Sequence, residues 1–174
     1  MASEAPTAIP ASGALGLARL IAFALPAGLL VGAYGFQHIG GLPPCEMCYW
    51  QRWAHMAALG FAVASFAGAA RLPDKGRAFV WLAALAILAS GGIGAYHAGV
   101  EAGLLTGFTQ CTASLGGGSS EDLLKQILAA PVIRCDQVPW SLLGISMAGW
   151  NAILSILGAL TVLWLSLKRN PVRP

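Results

Sequence analysis

The residues best suited to chemistry in this chain are its four cysteines. Two form a close pair, Cys45-Glu46-Met47-Cys48, and two more, Cys111 and Cys135, stand 24 positions apart further on. Four cysteines allow three disulfide pairings, and the CxxC pair is expected to pair with itself in one state. Exchange between pairs needs a thiolate attacking a disulfide sulfur. A CxxC at the start of a helix favours that thiolate. Arg52 follows Cys48 by four residues, one helical turn along the same face. Its fixed positive charge would stabilise a Cys48 thiolate and could meet the polar head of a ligand arriving from a bilayer.

Three other readings compete for the same residues. The cysteines could be two static disulfides, although CxxC is a strained choice for a staple. They could be zinc ligands, but the second pair is not another CxxC, and zinc ligands come mostly as close pairs; no metal site is expected. Arg52 could be a long side chain reaching from the membrane boundary to water.

The elements that must position these residues are membrane helices. Of the 174 residues, 57% are apolar and only 10% charged, against roughly 25% charged in soluble domains. Mean hydropathy is +0.70. Apolar runs at 20–39, 53–70, 78–100 and 140–167 approach or exceed the roughly 17–25 residues that cross a bilayer as a helix. In lipid, backbone polar groups must pair internally, which a helix achieves. The expected fold is an all-α membrane protein: one domain over 1–174, a bundle of four transmembrane helices at about 20–39, 49–70, 78–100 and 140–167. Two outer loops, 40–48 and 101–139, hold all the cysteines. The net charge of +3 is too small to suggest nucleic acid.

Lysine and arginine set the orientation. Arg19, Arg71, Lys75, Arg77, Lys168, Arg169 and Arg173 fall on one side, and Arg52, Lys125 and Arg134 on the other. The richer side is expected to be cytoplasmic, with both termini inside. The cysteine loops then face outward, where disulfides persist. The first apolar run is too long, and its flank too poor in basic residues, for a cleaved signal.

Further readings follow along the chain. Residues 1–18 read as a poorly ordered tail. Gly28 and Gly32 form a GxxxG pair suited to close helix packing. Pro43 and Pro44 end the first helix and suit the start of a second near Cys45. Residues 71–77 form a tight turn. Within the long loop, Ser119 to Ala130 reads as a short amphipathic helix opened by a capping box of Ser119 and Asp122, after the flexible Gly116-Gly117-Gly118. His55 reads as a packing residue, Glu101 as a cap or surface residue, and Asn151 as an interhelical hydrogen-bonder. Trp50, Trp53 and Trp140 suit an outer aromatic belt.

The stretch Pro44-Cys45-Glu46-Met47-Cys48-Tyr49-Trp50-Gln51-Arg52 resembles the CxxC-x-x-[EQ]-R signature of the disulfide bond formation protein B (DsbB) family. Cys135-Asp136, followed by Trp140-Ser141-Leu142-Leu143-Gly144, is similar to that family's entry into its fourth helix, and the resemblance covers residues 15–168. Met47 stands where leucine is common, and the segment between Cys111 and Cys135 matches least. The resemblance implies a bacterial inner-membrane oxidoreductase working with a periplasmic DsbA-like thioredoxin-fold protein and a membrane quinone, ubiquinone or menaquinone. That such a system keeps a periplasm oxidising is general knowledge of the family. By resemblance, Cys111 is attacked by the reduced partner, Cys135 exchanges with Cys45, and Cys48 passes electrons to quinone. Arg52 and His97 match quinone-site residues. From a partner with a potential of about −120 mV, transfer to a thiol acceptor near −200 mV would be roughly 4 kcal/mol uphill, so a quinone makes the better sink.

The expected function is therefore re-oxidation of a periplasmic dithiol protein, with electrons running through Cys111 and Cys135, then Cys45 and Cys48, to quinone. The rivals are a non-catalytic membrane scaffold with structural disulfides and a quinone-linked reductase running the opposite way.

Overall fold

The computed structural model of the protein describes residues 11–107, Ser119, Glu121 and 134–168. Cys111, the triple glycine and most of the amphipathic segment after Ser119 lie outside them. Four long helices carry the fold: α1 (Ala11–His38), α2 (Glu46–Gly68), α3 (Arg77–Glu101) and α4 (Met147–Leu167). A two-residue hairpin, β1 (Ser141–Leu142) and β2 (Ile145–Ser146), precedes α4. α3 packs extensively on both α2 and α4, while α1 lies against α2 and α4 and touches α3 little. The helices thus form a ring in chain order.

Three helices, α1 from Gly13, α3 and α4, are long and apolar enough to cross a membrane. α2 falls short because its first half carries Gln51, Arg52 and His55, all buried. The packing is inverted relative to a soluble protein. Fully buried positions are small, such as Ala14, Ala18, Ala62, Ala83 and Ala159, with Ser65, Ser90 and Ser155. Large apolar residues such as Val31, Phe66, Leu85, Leu157 and Trp164 point outward. Small interface residues let membrane helices approach closely, and lipid accommodates the large ones.

Several boundaries differ from those read in the sequence. α1 begins nine residues earlier than position 20. Ala14, Leu15 and Ala18, expected in a loose tail, are buried in the core with Val80 and Val162; residues 1–10 lie outside the described residues. α2 starts at Glu46 with Cys45 as its N-cap, where the two prolines placed its start and three residues ahead of the bound of 49 set by the transmembrane run. α4 starts at Met147, seven residues later than 140. The cause is Leu143-Gly144, which adopts positive φ (54° and 77°) and closes the hairpin with Ser141 opposite Ser146. Ser146 Oγ then caps α4 by accepting from the Gly149 N–H at 3.1 Å.

The turn after α2 is built as expected, by Asp74. Its two carboxylate oxygens accept from the N–H groups of Gly76 (3.0 Å) and Ala78 (2.8 Å). These bonds hold its carboxyl below the usual range. The GxxxG pair does not pack against a helix: a Cβ at Gly28 or Gly32 would meet nothing within 4 Å. Both instead line a cavity. Close approach occurs between α3 and α4, where a Cβ at Gly91 or Gly94 would meet neighbouring atoms at 2.9 Å.

Candidate functional site

Cys45 sits at the N-cap of α2, and its sulfur accepts from the Cys48 backbone N–H at 3.4 Å. Pro43 and Pro44 hold the preceding chain extended, so the CxxC forms the first turn of the helix. The sulfurs of Cys45 and Cys48 are 2.9 Å apart. Cys48 lies ahead of the apolar stretch that begins at Trp53, and its thiol is lowered to about 7. The main cause is the hydrogen bond with the Cys45 side chain; the Cys45 backbone and the Arg52 charge add to it, against burial and the Glu101 charge. Cys45 is pushed the other way, by that same hydrogen bond and by burial. The pair therefore shares one proton, held on Cys45, with the thiolate on Cys48.

The segment ahead of the hairpin brings Cys135 to this point. Cys45, Met47, Val100 and Cys135 form one buried cluster. The ligating atoms of Cys45, Cys135 and His97 all lie within 4.8 Å of one another. Sulfurs that close can exchange a disulfide after a small shift. Asp136, beside Cys135, is held low by its hydrogen bonds with Arg134, an exposed pair at the loop's end.

Arg52 does not extend to bulk water. It is 7% exposed and donates to the Gln37 side chain and to the Ala33 carbonyl at 3.2 Å. Its guanidinium lies over the rings of Tyr34 (4.9 Å) and Tyr49 (5.7 Å). His97 is 3% exposed; its Nε2 is 3.5 Å from Cys45 Sγ and 3.8 Å from a Glu101 oxygen. The Glu101 side chain is buried, so it is not a surface residue. His55 and Asn151 are joined at 2.9 Å, and Asn151 also reaches Gln51 on α2 and Ser90 on α3, as an interhelical bonder should.

A cavity of about 650 Å³ opens beside these groups. Leu30, Phe36 and Leu154 contribute apolar wall, while Cys48, Arg52 and His97 contribute the reactive end. An apolar cleft with a few converging polar groups suits a lipid-soluble ring compound. The sequence reading thus named Cys45, Cys48, Cys135, Arg52 and His97, and the structure brings these five together; Cys111 lies outside the described residues. It missed Gln51 and Glu101 as members of the site. For Gln51 the signal was available, since it follows Met47 by one helical turn and must share its buried face.

Residues 16–165 match the family described as DsbB, disulfide bond formation protein DsbB. The chain is 32% identical over 154 residues to a disulfide bond formation protein B from Aromatoleum aromaticum, covering 85% of this chain and 90% of that protein. It is 33% identical over 161 residues to the protein of that name from an Acidovorax species, covering 86% and 85%. It is also 33% identical over 138 residues to disulfide bond formation protein B 2 from Pseudomonas aeruginosa, covering 74% and 78%. No solved structure matches. A thiol pair at a helix start, a third cysteine beside it and an apolar cleft alongside agree with these similarities: the chain belongs to the disulfide bond formation protein B family.

Proposed function

We propose that the protein is a quinone-dependent thiol:disulfide oxidoreductase that re-oxidises a periplasmic, DsbA-like thioredoxin-fold protein. One observation carries this reading. Cys48, the cysteine with the lowered thiol, borders an apolar cavity, while its neighbour Cys45 meets Cys135 on the other side. Such a junction joins a soluble thiol relay to a membrane-soluble acceptor.

In this reading α2 is a fourth span, its polar half covered by the other three helices. The seven basic residues outside the cysteine-bearing side put both termini in the cytoplasm of a bacterial inner membrane. The reduced partner attacks Cys111 of a Cys111–Cys135 disulfide, forming a mixed disulfide and releasing Cys135. Cys135 attacks Cys45 of the Cys45–Cys48 disulfide, and the electron pair leaves on Cys48. Arg52 holds that charge near the cavity. When bound, a quinone, ubiquinone or menaquinone, would supply the sink for the two electrons and two protons given up as Cys45 and Cys48 re-form their disulfide. The cavity fits such a group: its apolar wall suits a ring and tail, and Arg52 supplies donors at one end.

The test uses purified protein in detergent with a reduced thioredoxin-fold dithiol and a soluble quinone, followed by quinone absorbance. Reduction by the wild type but not by Cys48→Ala supports the scheme. No reduction by either, with the cysteines locked in unreactive disulfides, favours a scaffold. A second reading, a zinc centre, draws on the convergence of Cys45, Cys135 and His97. Stoichiometric zinc in the reduced protein, with unfolding on chelation, would favour it.

A further inference from the structure

A line of buried polar groups runs from the cysteines into the bundle. Gln51 Nε2 is 3.0 Å from His97 Nδ1 and 3.2 Å from the Met47 carbonyl oxygen. Asn151 Nδ2 is 2.7 Å from Gln51 Oε1 and 3.2 Å from the Ser90 carbonyl oxygen. Asn151 Oδ1 accepts from Ser155 Oγ at 3.0 Å and faces His55 Nε2 at 2.9 Å. The line crosses α2, α3 and α4, and Gln51, His55, His97 and Ser155 are all buried.

Its direction is set by the backbone. A carbonyl oxygen only accepts. The Met47 carbonyl therefore fixes the nitrogen of Gln51 as a donor, and the Ser90 carbonyl fixes the nitrogen of Asn151. With Gln51 Nε2 donating, His97 Nδ1 must accept, so in the neutral ring the hydrogen resides on Nε2. That nitrogen faces Cys45 Sγ at 3.5 Å. The backbone of Cys135 also bonds the ring.

We propose that the Gln51–Asn151 line locks His97 in its Nε2-protonated form, and that His97 donates this hydrogen to Cys45 Sγ whenever Cys45 leaves a disulfide. Gln51 and Asn151 are positioning residues, acting through His97. The consequence for turnover rests on the proposed oxidoreductase reading; the tautomer does not. The step is an exchange: the Cys111 thiolate attacks Cys135 in a Cys45–Cys135 disulfide. The Cys111–Cys135 bond forms, the Cys135–Cys45 bond breaks, and the electron pair leaves on Cys45. No proton is consumed, and His97 stabilises the departing thiolate. His97 thus serves the thiol relay, with both ring nitrogens already engaged, rather than being reserved for quinone.

The experiment uses the full reduced chain in detergent, labelled with ¹⁵N-histidine, with His97→Gln to assign the signal. The expected spectrum shows His97 protonated on Nε2 and bare on Nδ1; protonation on Nδ1 overturns the proposal. In a Cys48→Ala background, the alkylation rate of Cys45 at pH 7 is then followed peptide by peptide. Gln51→Leu, which removes the donor to Nδ1, should release the tautomer and slow Cys45 about tenfold, the scale of a hydrogen bond to a charged acceptor. Asn151→Leu, which frees the Gln51 amide without adding charge, should slow it in the same direction and serves if the first variant fails to fold. A Cys45 rate unchanged in Asn151→Leu while the tautomer signal changes also overturns the proposal. Failure of quinone reduction with the Nε2 tautomer present would remove the oxidoreductase reading and leave the lock standing.

Discussion

Cys48 is where the electrostatics of the site concentrate. A thiol lowered to about 7 is largely thiolate above that pH and loses the thiolate as pH falls below it. Alkylation of Cys48 by iodoacetamide in the reduced protein should therefore rise through pH 6–8, where roughly 8–9 is ordinary for a free cysteine; a midpoint in the ordinary range would contradict this arrangement. Cys48→Ala should abolish quinone reduction yet still permit a trapped mixed disulfide between Cys111 and the partner, seen on non-reducing gels. Arg52→Ala should raise the apparent KM for quinone by about tenfold or more, since a charge-assisted hydrogen bond is worth roughly 1.5–3 kcal/mol. An unchanged KM would remove Arg52 from the quinone end and leave it a structural anchor for the α1 carboxyl end.

Among the elements, α2 depends most on its neighbours. Its buried face carries Gln51, Arg52 and His55, and each finds a hydrogen-bond partner on another helix. The contact that seats α4 against α3, beside this face, is glycine at position 94. A methyl there would meet Asn151 Nδ2 at 2.9 Å and the Ala148 carbonyl at 3.0 Å. Gly94→Ala should cost about 1–3 kcal/mol through overpacking, measured as earlier thermal unfolding in detergent. Gly92→Ala, with nothing within 4 Å of its Cβ, should be near neutral and controls for the substitution type.

The whole molecule has a reactive end and an inert end. Cys45, Cys48, Cys135, Arg52 and the mouth of the cavity gather where α2 begins and α3 finishes. The opposite end is an alanine-rich core closed by the Asp74 turn and by Arg19 donating to the Lys75 carbonyl. The proposed orientation puts the first end outside. Phosphatase fused after residue 104 should be active in the periplasm, and phosphatase fused after residue 73 inactive; the reverse pattern would invert the topology and with it the partner's compartment.

Much of this was legible in the chain because the signals are local or one-dimensional. Apolar runs of bilayer length give helices, and Cys45 to Arg52 place a thiol pair and a charge along the first two turns of one helix. What the sequence left open depended on distance in space. Nothing in the spacing of Cys45, His97 and Cys135 tells that their ligating atoms meet within 4.8 Å, because three separate segments must converge. The start of α4 shifted because a two-residue hairpin stops the chain before the helix can begin, a competition between turn and helix that hydropathy does not register. The GxxxG pair lines a cavity because close packing needs a partner helix at that face, and the ring of four helices supplied one at Gly91 and Gly94 instead. Gln51 and Asn151, separated by 100 positions, acquire their roles only where α2, α3 and α4 enclose them, for a polar group buried away from water must find its partner inside the fold.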